Sequence, residues 1–257
     1  MLEISCEREE RYPDTSGQQS RRRKRKRNRN FPVEDNSEPE RTFRPYNYFI
    51  GFRVDNPQLV ENLRRVQEAV VENAPQLQRA MISPATFHIT LAVLKLATED
   101  DVKTATEALS GCDLTTDIPL EVPFASLGHF DNEVLFAKPA PGDSLDQIYV
   151  LRRKLVNIYS AYDEFEVVDR KEYHPHLTLF KLIPKKFRCE VKKILPEWYE
   201  EHKLNVFGTQ RVDDVKLLAM MKPKAVCGFY HSVASFQLLV RECQAFSLEY
   251  EEEFGIY

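Results

Sequence analysis

Apolar residues recur along the chain at two spacings, which predict alternating strands and helices. Residues 47–54 (NYFIGFRV) have the aromatic and β-branched content of a strand. Asn56 and Pro57 then supply an N-cap and a proline at the first helical position. The helix that follows carries one apolar stripe, formed by Leu59, Leu63, Val66 and Val70.

The remaining pattern predicts a second long helix and several further strands. A shorter helix ends at Gly111, and two strands near 120–128 and 133–139 turn around Asp131-Asn132. More helix is predicted over 185–203, around Pro196, and two strands over 212–222 and 228–238 complete the globular part. The shorter helix has Val102, Ala105 and Leu109 on one face, and the second long helix has a stripe of Leu145, Ile148, Leu151, Leu155, Ile158 and Tyr162.

One short sequence motif, called the histidine phrase below, occurs twice, each time after a long helix. Residues 86–96 are TFHITLAVLKL and residues 172–182 are EYHPHLTLFKL, so both contain His-x-Thr followed by Leu. Each phrase predicts a strand, and the repeated order of helix and strand suggests an internal duplication.

The side chains of these strands alternate between two faces, which places the histidine and the threonine of each phrase on the same face. His88 and Thr90 point to one face, as do His176 and Thr178, while the aliphatic residues between them point to the other. If the strands meet, two imidazoles and two hydroxyls line one cleft. One imidazole can then accept a proton and the other can donate one, while the hydroxyls bind phosphate oxygens. A structural histidine is the simpler interpretation of a single such motif, but two copies favour a functional pair.

Charge is distributed unevenly along the 257 residues. The net charge is −4, but residues 21–29 (RRRKRKRNR) contribute +8, which leaves −12 for the rest of the chain. Like charges repel and the run has no apolar residue to bury, so residues 1–42 are predicted to form a disordered tail. The run itself indicates a nuclear-localisation or nucleic-acid segment, with a solvating tail as the alternative. Because the remainder is acidic, any anionic ligand is expected to be small and held locally.

Several protein classes do not fit the composition. No apolar run is long enough to span a bilayer, and the first residues lack the layout of a signal peptide. The five cysteines are scattered and form no CxxC pair, so neither a disulfide framework nor a zinc ribbon is expected. These features predict an intracellular protein without membrane partners, and the basic run favours the nucleus.

The paired phrases resemble the two-histidine phosphoesterases. NYFIGFRV, TFHITLAVLKL, HPHLTLFKL and GFYHS together are similar to the central domain of the A-kinase anchoring protein 7 family, over about residues 43–238. The resemblance implies an α+β fold of two lobes, each a small antiparallel sheet with outer helices, and an active-site cleft between the lobes. Residues 1–42 and 239–257 would then flank this domain as tails.

The resemblance also implies an activity. Such domains are metal-independent phosphodiesterases of RNA-type substrates, including 2′,5′-linked oligoadenylate and 2′,3′-cyclic phosphate ends, and close relatives bind nucleoside monophosphates. Catalytic roles carry over to His88, Thr90, His176 and Thr178, and no cofactor is expected. Tyr173, Phe229 and Tyr230 are candidates for stacking on a base, with core packing as the alternative for at least one of them.

The C-terminal residues 239–257 are predicted to be an acidic tail or a short helix. Leu239, Cys243, Phe246 and Tyr250 lie at helical spacing, but the end is rich in acid. Anchoring relatives end in an amphipathic helix that binds a kinase regulatory subunit. Here the segment is short and breaks at Gly255, which argues against such a partner.

Three other interpretations of the histidines remain. His174 and His176 lie on one strand face and could bind a metal ion, together with His88 or an acidic residue. The segment also falls one histidine short of the histidine-triad pattern, because Thr178 stands at the third place. A third alternative is a non-catalytic module that binds a nucleotide or an RNA end in the same cleft. The other histidines are predicted to be structural or surface residues: His129, His202 and His231.

Overall fold

The computed structural model describes residues 46–116, 118–164, 166–168, 172–182 and 191–241. All of them belong to one compact unit, Phe43–Tyr257. The basic run at 21–29, the predicted tail 1–42 and residues 242–257 of the predicted C-terminal segment lie outside the described residues.

The described chain contains three α-helices, eleven strands and several short 3₁₀ helices. The helices are α1 Pro57–Asn73, α2 Glu99–Ser110 and α3 Asp143–Tyr159. The strands are β1 Tyr48–Arg53, β2 His88–Lys95, β3 Thr115–Thr116, β4 Leu120–Phe130, β5 Val134–Pro139, β6 Glu166–Val167, β7 Leu177–Lys181, β8 Val206–Val212, β9 Asp214–Ala219, β10 His231–Gln237 and β11 Leu239–Val240. The 3₁₀ helices are Pro75–Ala80, Pro84–Thr86, Pro196–Trp198 and Glu200–His202.

The longer strands form two antiparallel sheets. A five-stranded sheet has the order β10-β9-β1-β2-β6, and a four-stranded sheet has the order β7-β5-β4-β8. The two-residue strands β3 and β11 form a separate parallel pair. The two sheets of the predicted α+β fold are therefore confirmed, as is their antiparallel pairing.

The helices pack on both sheets, and α3 contacts a strand of each, β2 and β4. Helix α1 packs against β7 and β8 of the four-stranded sheet, where Asn62 Nδ2 donates to the Phe207 carbonyl at 2.8 Å. Helices α2 and α3 pack together and contact β10 and β2 of the five-stranded sheet. The Tyr159 hydroxyl of α3 donates to the Ala105 carbonyl of α2 at 2.8 Å. Neither lobe is one half of the sequence, because β9 and β10 join the first sheet while β4 and β5 join the second.

Local sequence signals account for the helix starts. The Asn56 side chain accepts hydrogen bonds from the backbone N–H groups of Gln58 and Leu59, with Pro57 in the first turn. A capping box between Thr98 and Asp101 begins α2. The predicted stripe of α1 is buried, since Leu59, Leu63, Val66 and Val70 are at most 1% exposed. None of the helices in the described part of the chain has the length and apolar character that a bilayer span requires.

The secondary structure differs from the sequence-based expectation at three places. The described part of 185–203 holds only the two short 3₁₀ helices Pro196–Trp198 and Glu200–His202, because Pro196 can start a helical turn but cannot continue one. Strand β8 was missed because its buried face includes the polar Gln210, which accepts from the backbone N–H of Asp55 and of Asn56. Leu239 lies in β11 rather than in a helix.

Candidate functional site

The two histidine phrases lie on different sheets that approach each other. His88 is the first residue of β2, inside the five-stranded sheet, and His176 directly precedes β7, at one edge of the four-stranded sheet. Cα atoms of β2 and β7 come within 8 Å of each other. Both predicted strands are therefore present, one from each lobe.

Side chains alternate along both strands as predicted. Ile89 and Leu177 are completely buried, and so are the aliphatic residues two places further on, Leu91 at 1% exposure and Leu179 at 0%. The histidines and threonines of both phrases are only partly buried. Each strand thus presents an imidazole and a hydroxyl opposite its apolar face.

Backbone contacts join the segment before the first phrase to the second phrase. The Ile82 N–H donates to the Leu179 carbonyl at 2.8 Å, and Met81 forms a bridge with Phe180. From α1, the buried Gln67 side chain donates through Nε2 to the carbonyls of both Ile82, at 2.8 Å, and Leu179, at 3.0 Å. The chain leading to His88 is therefore fixed to the strand that follows His176.

A second connection lies closer to the histidines. The Tyr173 hydroxyl donates to the Thr90 carbonyl at 2.8 Å, so the segment before His176 is bound to the strand that carries His88. Gly51 of β1 pairs with Thr90 of β2. Position 51 has no room for a side chain, because a Cβ there would lie 2.2 Å from the Ile89 carbonyl oxygen.

The two imidazoles have the same hydrogen-bond arrangement. His88 Nδ1 lies 2.7 Å from the Thr86 carbonyl, and His176 Nδ1 lies 2.7 Å from the His174 carbonyl. Because a carbonyl oxygen only accepts, Nδ1 carries a proton in both rings. In the neutral tautomer, Nε2 is therefore the basic atom of each histidine.

Aromatic rings flank both imidazoles. Phe49 and Tyr230 lie 4.9 and 5.3 Å from His88, measured between ring centroids. His176 lies 4.9 Å from Phe130 and 5.1 Å from Phe136. These rings hold each imidazole in place and lower the polarity around it.

The surroundings of His88 shift the pKa of its imidazole away from the ordinary histidine value. Its pKa is lowered to about 4, chiefly because burial disfavours the charged ring. The hydrogen bond to the Thr86 carbonyl opposes this shift, and positive charge on His176 and Lys224 adds to it. His88 is therefore neutral at physiological pH and suited to accept a proton.

A cavity of about 370 Å³ adjoins the paired phrases. Its lining includes Thr90 of the first phrase and His176 of the second, together with the cationic Arg152 and Lys181. The cavity has room for a small anionic ligand beside Thr90 and His176, but the other two catalytic candidates, His88 and Thr178, are not among its lining residues.

Residues 46–238 match the sequence profile of the AKAP7 2'5' RNA ligase-like domain family. The chain belongs to this family. The resemblance to the A-kinase anchoring protein 7 family is thus confirmed. Human A-kinase anchor protein 7 isoform gamma is 30% identical to the chain over 196 residues. That alignment covers 74% of this chain but only 56% of the relative, so the chain spans little more than half of the relative's length.

Solved structures with similar folds have lower sequence identity. E. coli LigT complexed with 3'-AMP is 13% identical, with a TM-score of 0.46 over 76% of this chain and 99% of LigT. TT0787 of Thermus thermophilus is 17% identical, with a TM-score of 0.46 over 76% of this chain and 100% of that one.

In this member of the AKAP7 2'5' RNA ligase-like family, the three aromatic candidates for base stacking have different surroundings. Tyr173 lines the cavity, and the Arg152 guanidinium lies over its ring at 4.5 Å. Tyr230 is partly buried beside His88. Phe229 is only 4% exposed and packs with Phe49, which favours the alternative of core packing for this residue.

The alternative metal site lacks its ligands among the described residues. His174 is exposed, and its Nε2 lies 3.9 Å from a Glu172 carboxylate oxygen. Within the ranges that the structure describes, no three His, Cys, Asp or Glu side chains are grouped as a metal ion would require.

The remaining histidines belong to other segments of the fold. His129 Nδ1 accepts from the Asn132 N–H at 3.2 Å within the β4–β5 turn, and His202 contacts Asn205 at 3.2 Å in a loop. His231 is exposed at the start of β10. These places agree with structural and surface roles.

Several residues around the site were not predicted from the sequence. Phe130 and Phe136 flank the predicted Asp131-Asn132 turn, and pairing across that hairpin could have indicated their proximity. Arg152 is one charged residue on a long amphipathic helix, and Lys224 lies in a loop. No local pattern marks either of them.

Proposed function

We propose that the protein is a metal-independent phosphodiesterase that acts on RNA-type phosphodiesters, namely 2′,5′-linked oligoadenylate or 2′,3′-cyclic phosphate ends. Membership of the AKAP7 2'5' RNA ligase-like family supports phosphodiesterase chemistry on RNA-type substrates. The observation that carries the proposal is the matched pair of imidazoles, in which Nδ1 bonds to a carbonyl and Nε2 is the atom suited to proton transfer.

His88 acts as the general base. Its lowered pKa keeps the ring neutral, so Nε2 can accept the proton of an attacking hydroxyl or water. For a 2′,5′ linkage the nucleophile is the adjacent 3′ hydroxyl, and its oxygen bonds to phosphorus as His88 takes the proton.

His176 acts as the general acid. As the bond from phosphorus to the 5′ oxygen breaks, protonated His176 gives its Nε2 proton to that oxygen. The products are a 2′,3′-cyclic phosphate and a 5′ hydroxyl. When the substrate is a cyclic phosphate, water attacks instead, and His176 protonates the ribose oxygen that leaves.

Thr90 and Thr178 bind the non-bridging oxygens of the phosphate. Each lies two residues after its histidine on the same strand face, which places a hydroxyl donor beside each imidazole. Hydrogen bonds from these hydroxyls stabilise the negative charge that grows in the transition state.

The direct test is a metal-free screen of substrates. The purified chain is incubated with 2′,5′- and 3′,5′-linked dinucleotides and with 2′,3′-cyclic phosphates, and the product ends are identified. We expect turnover of a 2′,5′ linkage or a cyclic phosphate, with ends that match the mechanism above. Binding of nucleotides without turnover of any substrate would favour a non-catalytic binding module.

Two further expectations concern cell biology. The basic run at 21–29 supports binding of a nuclear import receptor and a nuclear location. The name of the human relative refers to kinase anchoring, but the acidic segment at 239–257 argues against binding of a kinase regulatory subunit by this chain.

A further inference from the structure

The loop between β9 and β10 is held in a defined shape beside the first histidine phrase. The Ala225 N–H donates to the Phe229 carbonyl at 2.9 Å, and the Gly228 N–H donates to the Ala225 carbonyl at 2.8 Å. Gly228 has a φ of +80°, which favours glycine, and a Cβ there would lie 3.0 Å from the Ala85 Cβ. The loop therefore packs against the segment that precedes His88.

This loop places one cation close to His88. The Lys224 Nζ lies 2.8 Å from the centroid of the Tyr230 ring, and that ring lies 5.3 Å from the ring of His88. The two separations put the ammonium within about 8 Å of the His88 ring, close enough for charge–charge interaction in a partly dry site.

Other cations near this end of the five-stranded sheet are paired with acids. Arg53 lies 3.7 Å from Asp55, and Lys216 is paired with Asp214. Lys222, two residues before Lys224, lies 4.0 Å from Glu99 of α2.

Lys224 is different, because it forms no ion pair with any residue that the structure describes. Burial of its ammonium against the Tyr230 ring lowers the lysine pKa to about 8, so most molecules still carry the charge at neutral pH. An ammonium that is partly desolvated and lacks a carboxylate is a favourable partner for phosphate.

The position of the ammonium indicates which phosphate it meets. The scissile phosphate must lie between His88 and His176, next to the cavity that Thr90 and His176 line. His88, Tyr230 and Lys224 are not among the residues that line that cavity, so the ammonium lies on the His88 side of the reaction centre.

We propose that Lys224 binds a second phosphate, one that flanks the scissile phosphate, and that the site therefore prefers short oligonucleotides carrying an additional phosphate. This inference rests on the proposed phosphodiesterase function, since it presumes that the scissile phosphate lies between the two imidazoles.

Binding tests the inference without turnover. Calorimetry would compare adenosine 2′-monophosphate with adenosine 2′,5′-bisphosphate on the wild type and on Lys224→Gln, Lys224→Arg and Lys222→Gln. We expect the wild type to bind the bisphosphate about tenfold more tightly, as one charge-assisted hydrogen bond allows. Lys224→Gln should lose this gain, Lys224→Arg should keep most of it, and Lys222→Gln should match the wild type.

Turnover provides a second test. In this test, kcat/KM is measured for 2′,5′-linked diadenosine monophosphate with and without a 5′-phosphate. The 5′-phosphate should raise kcat/KM for the wild type and for Lys222→Gln, but not for Lys224→Gln. No gain from a second phosphate in the wild type, or an equal gain in Lys224→Gln, would overturn the inference. If the protein turned over neither substrate, the proposed function would fail, and the binding comparison would still decide the role of Lys224.

Discussion

The Tyr173 hydroxyl donates a 2.8 Å hydrogen bond to the carbonyl of Thr90, 83 residues earlier in the chain. Tyr173 lies three residues before His176, and Thr90 lies two residues after His88. One bond thus links the two phrases that carry the candidate acid and base. The distance between the imidazoles depends on this bond and on the Gln67 side chain, which donates to the carbonyls of Ile82, before the first phrase, and Leu179, within the second.

The Tyr173→Phe substitution removes this hydrogen bond and keeps the ring. We expect kcat to fall about tenfold with little change in KM, since the imidazoles lose alignment while the phosphate-binding groups remain. Stability should fall by about 1 kcal/mol, because the Thr90 carbonyl loses a donor. Kinetics and urea unfolding would measure both effects. Tyr149→Phe is the matched control, since the Tyr149 ring contacts Tyr173 but is 40% exposed; equal kcat losses in both variants would contradict the positioning role.

Gln67 provides an independent test of the connection between lobes. Its side chain is fully buried and donates to the carbonyls of Ile82 and Leu179. Gln67→Met keeps the approximate volume but removes both bonds, so we expect a loss of about 1–3 kcal/mol in the free energy of unfolding. Gln58→Met, at an exposed position on the same helix, should change stability little. Denaturant unfolding of the two variants measures the difference, and a stable Gln67→Met protein with full activity would exclude the proposed role.

The lowered pKa of His88 predicts how pH affects both activity and stability. The proton-accepting form persists down to about pH 4, so the acidic limb of kcat/KM that reflects His88 should lie near pH 4 and not near the ordinary histidine pKa of 6.5.

Stability follows from the same shift. Between pH 6.5 and 4 the unfolded chain binds a proton at His88 that the folded chain does not bind, so the free energy of unfolding falls as the pH falls. From pH 7 to pH 5 this residue should contribute a loss of about 2 kcal/mol. His88→Gln should lack that part of the loss, and identical pH dependence of unfolding in wild type and variant would show that the pKa of His88 is not lowered.

The location of the pair could be predicted from sequence because both phrases have a regular two-residue alternation. Ile89 and Leu177 are buried while their neighbours His88 and His176 are not, which is what the pattern indicates. The stripe of α1 was equally clear, because its apolar positions follow helical spacing and Asn56-Pro57 marks its start.

Other features have no local signal. Strand β8 contains Gly208 at a φ of +128° and the buried polar Gln210, so its apolar alternation is interrupted. Strands β9 and β10 join the first sheet, while β4 and β5 join the second. This arrangement depends on pairing between distant segments, which the periodicity of the sequence does not encode. The carbonyls of Thr86 and His174 that fix the imidazole tautomers belong to the backbone, and no residue type marks them.

Chelation tests the choice between paired-histidine and metal chemistry. We expect full activity after incubation with excess EDTA, because the imidazoles transfer protons through Nε2 and the threonine hydroxyls bind the phosphate. Zinc added back should give no increase. Activity that EDTA abolishes and zinc restores would instead support the metal site with His174 and His176 as ligands.

Substitution of the two histidines tests the central claim most directly. Turnover of the best substrate from the linkage panel should be measured for His88→Ala and His176→Ala, with His174→Ala as the control on an exposed imidazole of the same segment. The account predicts that each of the first two variants loses turnover by about 10² or more while still binding nucleotide, and that the control remains active. Full turnover by either His88→Ala or His176→Ala would contradict the assignment of that histidine to catalysis.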